Sequence, residues 1–286
     1  MQSFGVLVSA MCALSLMGLA TQDVFDAHER EVISRAEHSA AIGDLDVSFV
    51  ARDLQSGQTF ILEGSAIDQR RTPWSTFKIP NLILALETRV ADDLDHALPW
   101  DSQRHPQQDF WPSGWAEDQT LHSAFRRSAA WAFRDLALEI GSDAYRAHLS
   151  TWGYGNVQIA DGDDAFWLNH TLAISPIEQV GFLQRLLEGE LEISARSRAL
   201  LAEVSFAGSR EDGQLHGKTG SGPVNLGDFD GRFEGWYVGY LDRGGCAPIV
   251  FALHAEGASY GAIRTARRGL AERMLDDMDT ACWQRD

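Results

Sequence analysis

Ser75-Thr76-Phe77-Lys78 stands between Trp74 and an apolar helical run from Ile79 to Val90, and its reading decides the fold. The four residues spell S-x-x-K. On a helix, side chains three apart share a face, with Cβ atoms roughly 5–6 Å apart. A hydroxyl and an amine therefore come within reach of each other in the opening turn. That turn also carries unpaired backbone N–H groups and the positive end of the helix dipole. One short segment can thus supply a nucleophile, a base and an oxyanion site.

Alone, S-x-x-K recurs by chance, and a solvated helix face is its ordinary meaning. The lysine count changes the odds. Of the 24 basic residues only Lys78 and Lys218 are lysine, and the second opens Lys218-Thr219-Gly220. Arginine cannot be deprotonated in a protein, whereas a buried lysine can. A chain that uses arginine wherever a cation suffices keeps its two lysines in both halves of a known catalytic motif pair.

Composition narrows the function classes. At 286 residues, with 44% hydrophobic and 10% aromatic content, the chain can bury a sizeable core. A formal charge of −17 with no basic stripe argues against nucleic acid or an anionic membrane as partner. Met1 to Ala20 carry no charge, and Gly18-Leu19-Ala20 before polar Thr21 supplies a small-x-small cleavage pattern. Residues 1–20 read as a signal peptide, although the n-region lacks Lys or Arg, and an uncleaved anchor is the alternative. The expected location is periplasmic or secreted, with no stable membrane association after cleavage. Cys246 and Cys282 then remain, as one disulfide or as two buried thiols. The nine histidines form no H-x-H or H-E-x-x-H cluster, so no metal is expected.

Along the chain, residues 21–40 read as a charged helix or lead-in. Leu45–Leu54 and Gln58–Glu63 read as a hairpin through Ser56-Gly57, and Asp101–Asp118 as irregular. Leu121–Ile140 reads as one helix, followed by a short one from Ser142. Ser175-Pro176-Ile177-Glu178 forms a capping box with proline at the first helical position. Gln214–Thr219, Phe233–Leu241 and Pro248–His254 read as strands, and Gly261–Asp277 as a closing amphipathic helix. Strands thus bracket a helical middle, which implies an antiparallel sheet from both chain ends with a helical lobe inserted. No linker marks a second domain within 21–286.

Further landmarks follow the first motif in order: Trp100-Asp101, Asp118-Gln119-Thr120-Leu121, Ser128-Ala129-Ala130-Trp131, Tyr154-Gly155-Asn156, Phe166-Trp167-Leu168, Lys218-Thr219-Gly220 and Gly235-Trp236-Tyr237-Val238-Gly239. With these residues the chain resembles the class D β-lactamases, the oxacillinase type of serine β-lactamase, over nearly all of its expected mature length. The resemblance implies an α/β fold of the β-lactamase/transpeptidase type with flanking helices. It also implies hydrolysis of small-molecule β-lactam antibiotics, with no metal or organic cofactor.

The resemblance assigns roles as well. Ser75 is the expected acylating nucleophile. Lys78 is the expected general base, after taking up CO2 or bicarbonate as a carbamate supported by Trp167. For a lysine to be neutral near pH 7, its pKa must fall by roughly 3–4 units, at a cost of about 4–5 kcal/mol, which burial can impose. Ser128 is expected to relay a proton to the leaving nitrogen. Here the family's Ser-x-Val becomes Ser128-Ala129-Ala130, two methyls smaller beside the carbamate. The backbone N–H groups of Ser75 and Ser221 are the expected oxyanion hole. Lys218, Thr219 and Gly220 are expected along the substrate, and Arg264 on its carboxylate, with Arg267 and Arg268 close by. Tyr154-Gly155-Asn156 reads as a structural wall and Trp236 as sheet core. Two rivals share these motifs: a β-lactam sensor that acylates and stays acylated, and a cell-wall D,D-peptidase. Oligomeric state and the preferred β-lactam are open at this level.

Overall fold

The structure is a computed structural model and describes residues 30–278. The signal-peptide reading of residues 1–20 lies outside the described residues, as does Cys282. Cys246 is disulfide-bonded.

The chain opens with β1 (Arg30–Ile33), α1 (Ser39–Ile42), β2 (Asp46–Asp53) and β3 (Thr59–Leu62). A 3-10 turn, Trp74–Phe77, runs straight into α2 (Lys78–Glu87). A helical lobe follows: β4 (Ala97–Leu98), β5 (Gln119–Thr120), α3 (Leu121–Arg127), α4 (Ala130–Ile140), α5 (Ser142–Thr151), α6 (Pro176–Glu188) and α7 (Ala195–Ser205). The chain then returns through β6 (Phe206–Arg210), β7 (Gly213–Pro223), β8 (Phe233–Asp242) and β9 (Ile249–Gly257), and closes with α8 (Tyr260–Arg264) and α9 (Ala266–Asp276).

Seven strands form one sheet in the order β1-β3-β2-β9-β8-β7-β6. Strands from both chain ends meet where β2 pairs with β9, as the strand–helix–strand order implies. Central β8 is buried along nearly its whole length because both faces of the sheet are covered. Its side chains alternate in the period-two manner of a strand. Trp236, Val238 and Tyr240 pack into the core shared with the helical lobe, and Tyr237 and Leu241 into the core under α9.

Several expectations need correction, among them the single closing helix over Gly261–Asp277, which breaks at Thr265 into α8 and α9. The sheet is mixed, because β1 runs parallel to β3. Residues 30–33, within the stretch read as a charged helix or lead-in, are accordingly a strand; the exposed charged side chains of Arg30 and Glu31 suit an edge strand, and pairing with β3 outweighs local pattern. The stretch Leu121–Ile140 is two helices. Ser128 takes a left-handed backbone (φ 64°) and separates α3 from α4. The α6 capping box is present as read, with Ser175 Oγ accepting from Glu178 N. The little β4–β5 pair, α7 and β6 carried too weak a periodic signal to be read beforehand.

Candidate active site

The 3-10 turn is what brings the first motif together. Its three-residue period eclipses positions i and i+3, so Ser75 and Lys78 stand one above the other. The Lys78 Nζ lies 3.0 Å from Ser75 Oγ. Ser75 is half-buried, whereas Lys78 is fully buried. Phe133 lies under the amine at 5.1 Å, and Phe77 beside it is enclosed by Tyr145, Tyr154, Phe166 and Trp167. Burial in this shell, reinforced by the positive charge of Lys218, pushes the Lys78 pKa well below that of an ordinary lysine. Trp167 stacks on Phe77, and its buried Nε1 has no hydrogen-bond partner.

The α3–α4 break delivers Ser128. Its αL backbone is held by Ser128 N donating to Phe125 O and Ala129 N donating to Ala124 O. The loop before it is stitched on by Trp115 Nε1 to Arg127 O and Trp131 Nε1 to Trp115 O. Ser128 Oγ then accepts from Lys218 Nζ at 2.8 Å, and the same amine donates to Thr219 O. Lys218 is buried. That burial first, then the charges of Arg267 and Arg126, lowers its pKa to about 7.

Strand β7 forms the opposite wall, and two glycines let it come close. A Cβ on Gly220 would lie 2.9 Å from Pro73 O and from Ser75 N. A Cβ on Gly222 would lie 2.3 Å from the Trp74 ring. Only glycine permits this approach, which sets the Ser221 backbone beside the turn that carries Ser75. Trp74 itself has φ 50°, a backbone that costs a non-glycine residue about 1–3 kcal/mol.

These walls enclose a cleft of about 870 Å³ lined by Ser75, Ser128, Thr219, Gly220 and Ser221, among others. Arg264, expected on the substrate carboxylate, is exposed on α8 and does not line the cleft. Arg267 does: it is buried, and its Nε and Nη1 have no hydrogen-bond partner. The correction has a physical reason. Ile263, Arg267, Leu270 and Met274, spaced four, three and four apart, lie on the buried stripe of the closing helices, with Ala271 and Leu275 beside them. That stripe was readable in the sequence and selects Arg267 over Arg264.

The remaining landmarks are structural. Trp236 Nε1 donates to Thr72 O, and Tyr154 is buried against Phe77 and Phe182. Gly155 has φ 62° with the Ala173 carbonyl where a Cβ would sit, and Asn156 bonds to both Thr171 O and Ala173 N. Trp100 N donates to Asp118 Oδ1, tying the two ends of the irregular loop. Among the described residues no group of His, Cys, Asp or Glu could hold a metal ion, and no helix is long and apolar enough to cross a membrane.

Residues 47–275 match the penicillin binding protein transpeptidase domain family. The chain is 31% identical to the probable β-lactamase YbxI of Bacillus subtilis over 242 residues, 84% of this chain and 86% of that protein. Among solved structures it is similar to the class D β-lactamase YbXI from Nostoc, with TM-score 0.75 and 30% identity over 83% of this chain and 96% of that one. The C-terminal domain of the Bacillus licheniformis BlaR penicillin-receptor matches with TM-score 0.77 and 26% identity, covering 88% of this chain and 98% of that domain.

Proposed function

We propose that this chain, which belongs to the class D serine β-lactamases, opens the amide of a β-lactam ring through an acyl-Ser75 intermediate and releases it by hydrolysis. The observation that carries this reading is the pairing of two dehydrated lysines with two serines in one cleft: Lys78 with Ser75 at 3.0 Å and Lys218 with Ser128 at 2.8 Å.

The chemistry divides between the pairs. Ser75 Oγ loses its proton to the Lys78 side and bonds to the ring carbonyl carbon. The backbone N–H groups of Ser75 and Ser221 receive the oxyanion. As the C–N bond breaks, the ring nitrogen takes a proton from Ser128 Oγ, and Lys218 replaces it. Arg267, the buried cation of the cleft wall, receives the substrate carboxylate. Water then attacks the ester and frees Ser75.

Lys78 and Trp167 fit a carbamate. Burial drives the amine toward its neutral form, and the indole N–H is a buried donor without an acceptor. Such a group, formed from CO2 on Lys78, supplies a general base for acylation and deacylation. No metal or organic cofactor enters the scheme, and no nucleic acid partner. The leader-like residues 1–20 and the disulfide at Cys246 support a periplasmic or secreted enzyme.

A second reading is a β-lactam sensor. It is favoured by the TM-score of 0.77 to the BlaR penicillin-receptor domain and by Ala130 in place of the family valine. Excess chromogenic β-lactam separates the two. Sustained turnover, rising as bicarbonate is added, supports the hydrolase; a burst equal to the enzyme concentration followed by silence moves the assignment to the sensor. No covalent adduct with any β-lactam removes both readings.

A further inference from the structure

The residue before the nucleophile holds a backbone that its own chemistry does not favour. Trp74 has φ 50°, a region entered mainly by glycine, asparagine and aspartate. Its side chain shows what keeps it there. The indole is buried, and its Nε1 donates to Glu234 Oε1 at 2.8 Å. Glu234 lies on β8, directly opposite Gly222 on β7. The indole ring occupies the space that a side chain at 222 would fill, crossing the glycine to reach the carboxylate of its cross-strand partner.

Glu234 is itself buried, and the cleft lining does not include it. Its second oxygen, Oε2, lies 3.1 Å from His254 Nε2 and 4.0 Å from Arg71 Nε. Two residues further along β8 and on the same face, Trp236 donates its Nε1 to Thr72 O. The segment entering Ser75 is therefore tied to β8 at two points, residues 72 and 74. A buried carboxylate is costly to dehydrate, and apolar packing stabilises a core without that cost. Its placement against the one strained residue beside the nucleophile indicates a geometric task.

We propose that Glu234 is a positioning residue for the reaction: through Trp74 it fixes the left-handed backbone at residue 74 that aims the Ser75 hydroxyl and backbone N–H into the cleft. This rests on Ser75 being the nucleophile, as proposed above, and on no contact between Glu234 and substrate. Glu234→Leu and Trp74→Phe both delete the indole–carboxylate bond. Glu234→Gln keeps an acceptor for the indole and offers its amide to His254.

The test measures the acylation rate of Ser75 with a chromogenic penicillin and, separately, its labelling by a small alkyl fluorophosphonate. The second reagent reports the serine without β-lactam recognition. Each variant is followed by thermal melting, and rates are compared at a temperature where all are folded. Glu234→Leu and Trp74→Phe are each expected to slow both reactions roughly 10- to 100-fold. The double variant should be no slower than either single, since both cut one connection. Glu234→Gln should recover most of the rate. Unchanged rates in folded Glu234→Leu, or losses that multiply in the double variant, overturn the proposal. Wild type that reacts with the fluorophosphonate but with no β-lactam overturns the β-lactamase reading instead, and leaves the fluorophosphonate arm to decide the role of Glu234.

Discussion

Lys218 donates from its Nζ to Ser128 Oγ at 2.8 Å across 90 residues of sequence. Strand β7 brings the amine, and the break between α3 and α4 brings the hydroxyl. The pair has no local origin, and it faces the Lys78–Ser75 pair, whose members lie three residues apart.

The Lys218 amine makes a prediction about pH. Its pKa in the folded chain is about 7, against ~10.4 when unfolded. Between those values the unfolded chain binds the extra proton, so this group makes stability rise as pH rises from about 7 toward 10. At and below pH 7 its burial costs on the order of 4–5 kcal/mol. Lys218→Met should therefore melt higher than wild type at pH 7, with the gap closing toward pH 10, while turnover falls by orders of magnitude. Melting curves over that range check it; a lower melting temperature for the variant at every pH contradicts the assigned shift.

Arg267 and Arg264 separate cleanly. Arg267→Ala removes a guanidinium from the cleft wall and should raise KM for a carboxylated β-lactam by 10- to 100-fold, the scale of a charge-assisted contact. Arg264→Ala alters an exposed side chain outside the cleft and should change KM less than twofold. Steady-state kinetics on both variants decide between them. The reverse ranking restores the sequence-based expectation.

Ala130 opens α4 and lines the cleft, half-buried, where the family carries valine. Ala130→Val fills space in the cleft wall and should lower the bicarbonate concentration that gives half-maximal turnover. Titrating bicarbonate at fixed pH tests this. An unchanged midpoint means that the missing methyls do not govern the carbamate.

Gly220→Ala sets a Cβ 2.9 Å from Ser75 N and Pro73 O, so β7 must move away from the turn. A displacement of about 1 Å at a reacting centre costs roughly 100-fold in rate. Acylation should fall by that order, and the fold, resting on both cores, should persist with a modest loss of melting temperature. Gly227→Ala, in the loop between β7 and β8, is a useful contrast: a Cβ there meets nothing, and only its φ of 84° resists the change.

Much of the molecule was legible in advance. S-x-x-K and K-T-G identified both lysines, because each motif is local and the chain has no other lysine to confuse them. Strands β2, β3, β8 and β9 and the α6 cap followed from period-two runs and a capping box, signals that act over a few residues. Two failures share a cause. The Leu121–Ile140 stretch is apolar enough to read as one helix, and only the stitching of Trp115, Arg127 and Trp131 shows why Ser128 is left-handed. The β1 strand has no apolar alternation, and its existence depends on β3.

Local sequence picks out the candidate reactive groups: a serine and a lysine three apart, a second lysine before Thr-Gly, and a second serine ahead of a tryptophan. Covalent spacing and short-range helix geometry are enough for that. The tertiary structure decided which arginine enters the cleft, how dry each lysine is, and what holds Trp74 in its turn. Those depend on burial and on partners 90 to 160 residues away, and dehydration and cross-strand contact arise only when distant segments pack.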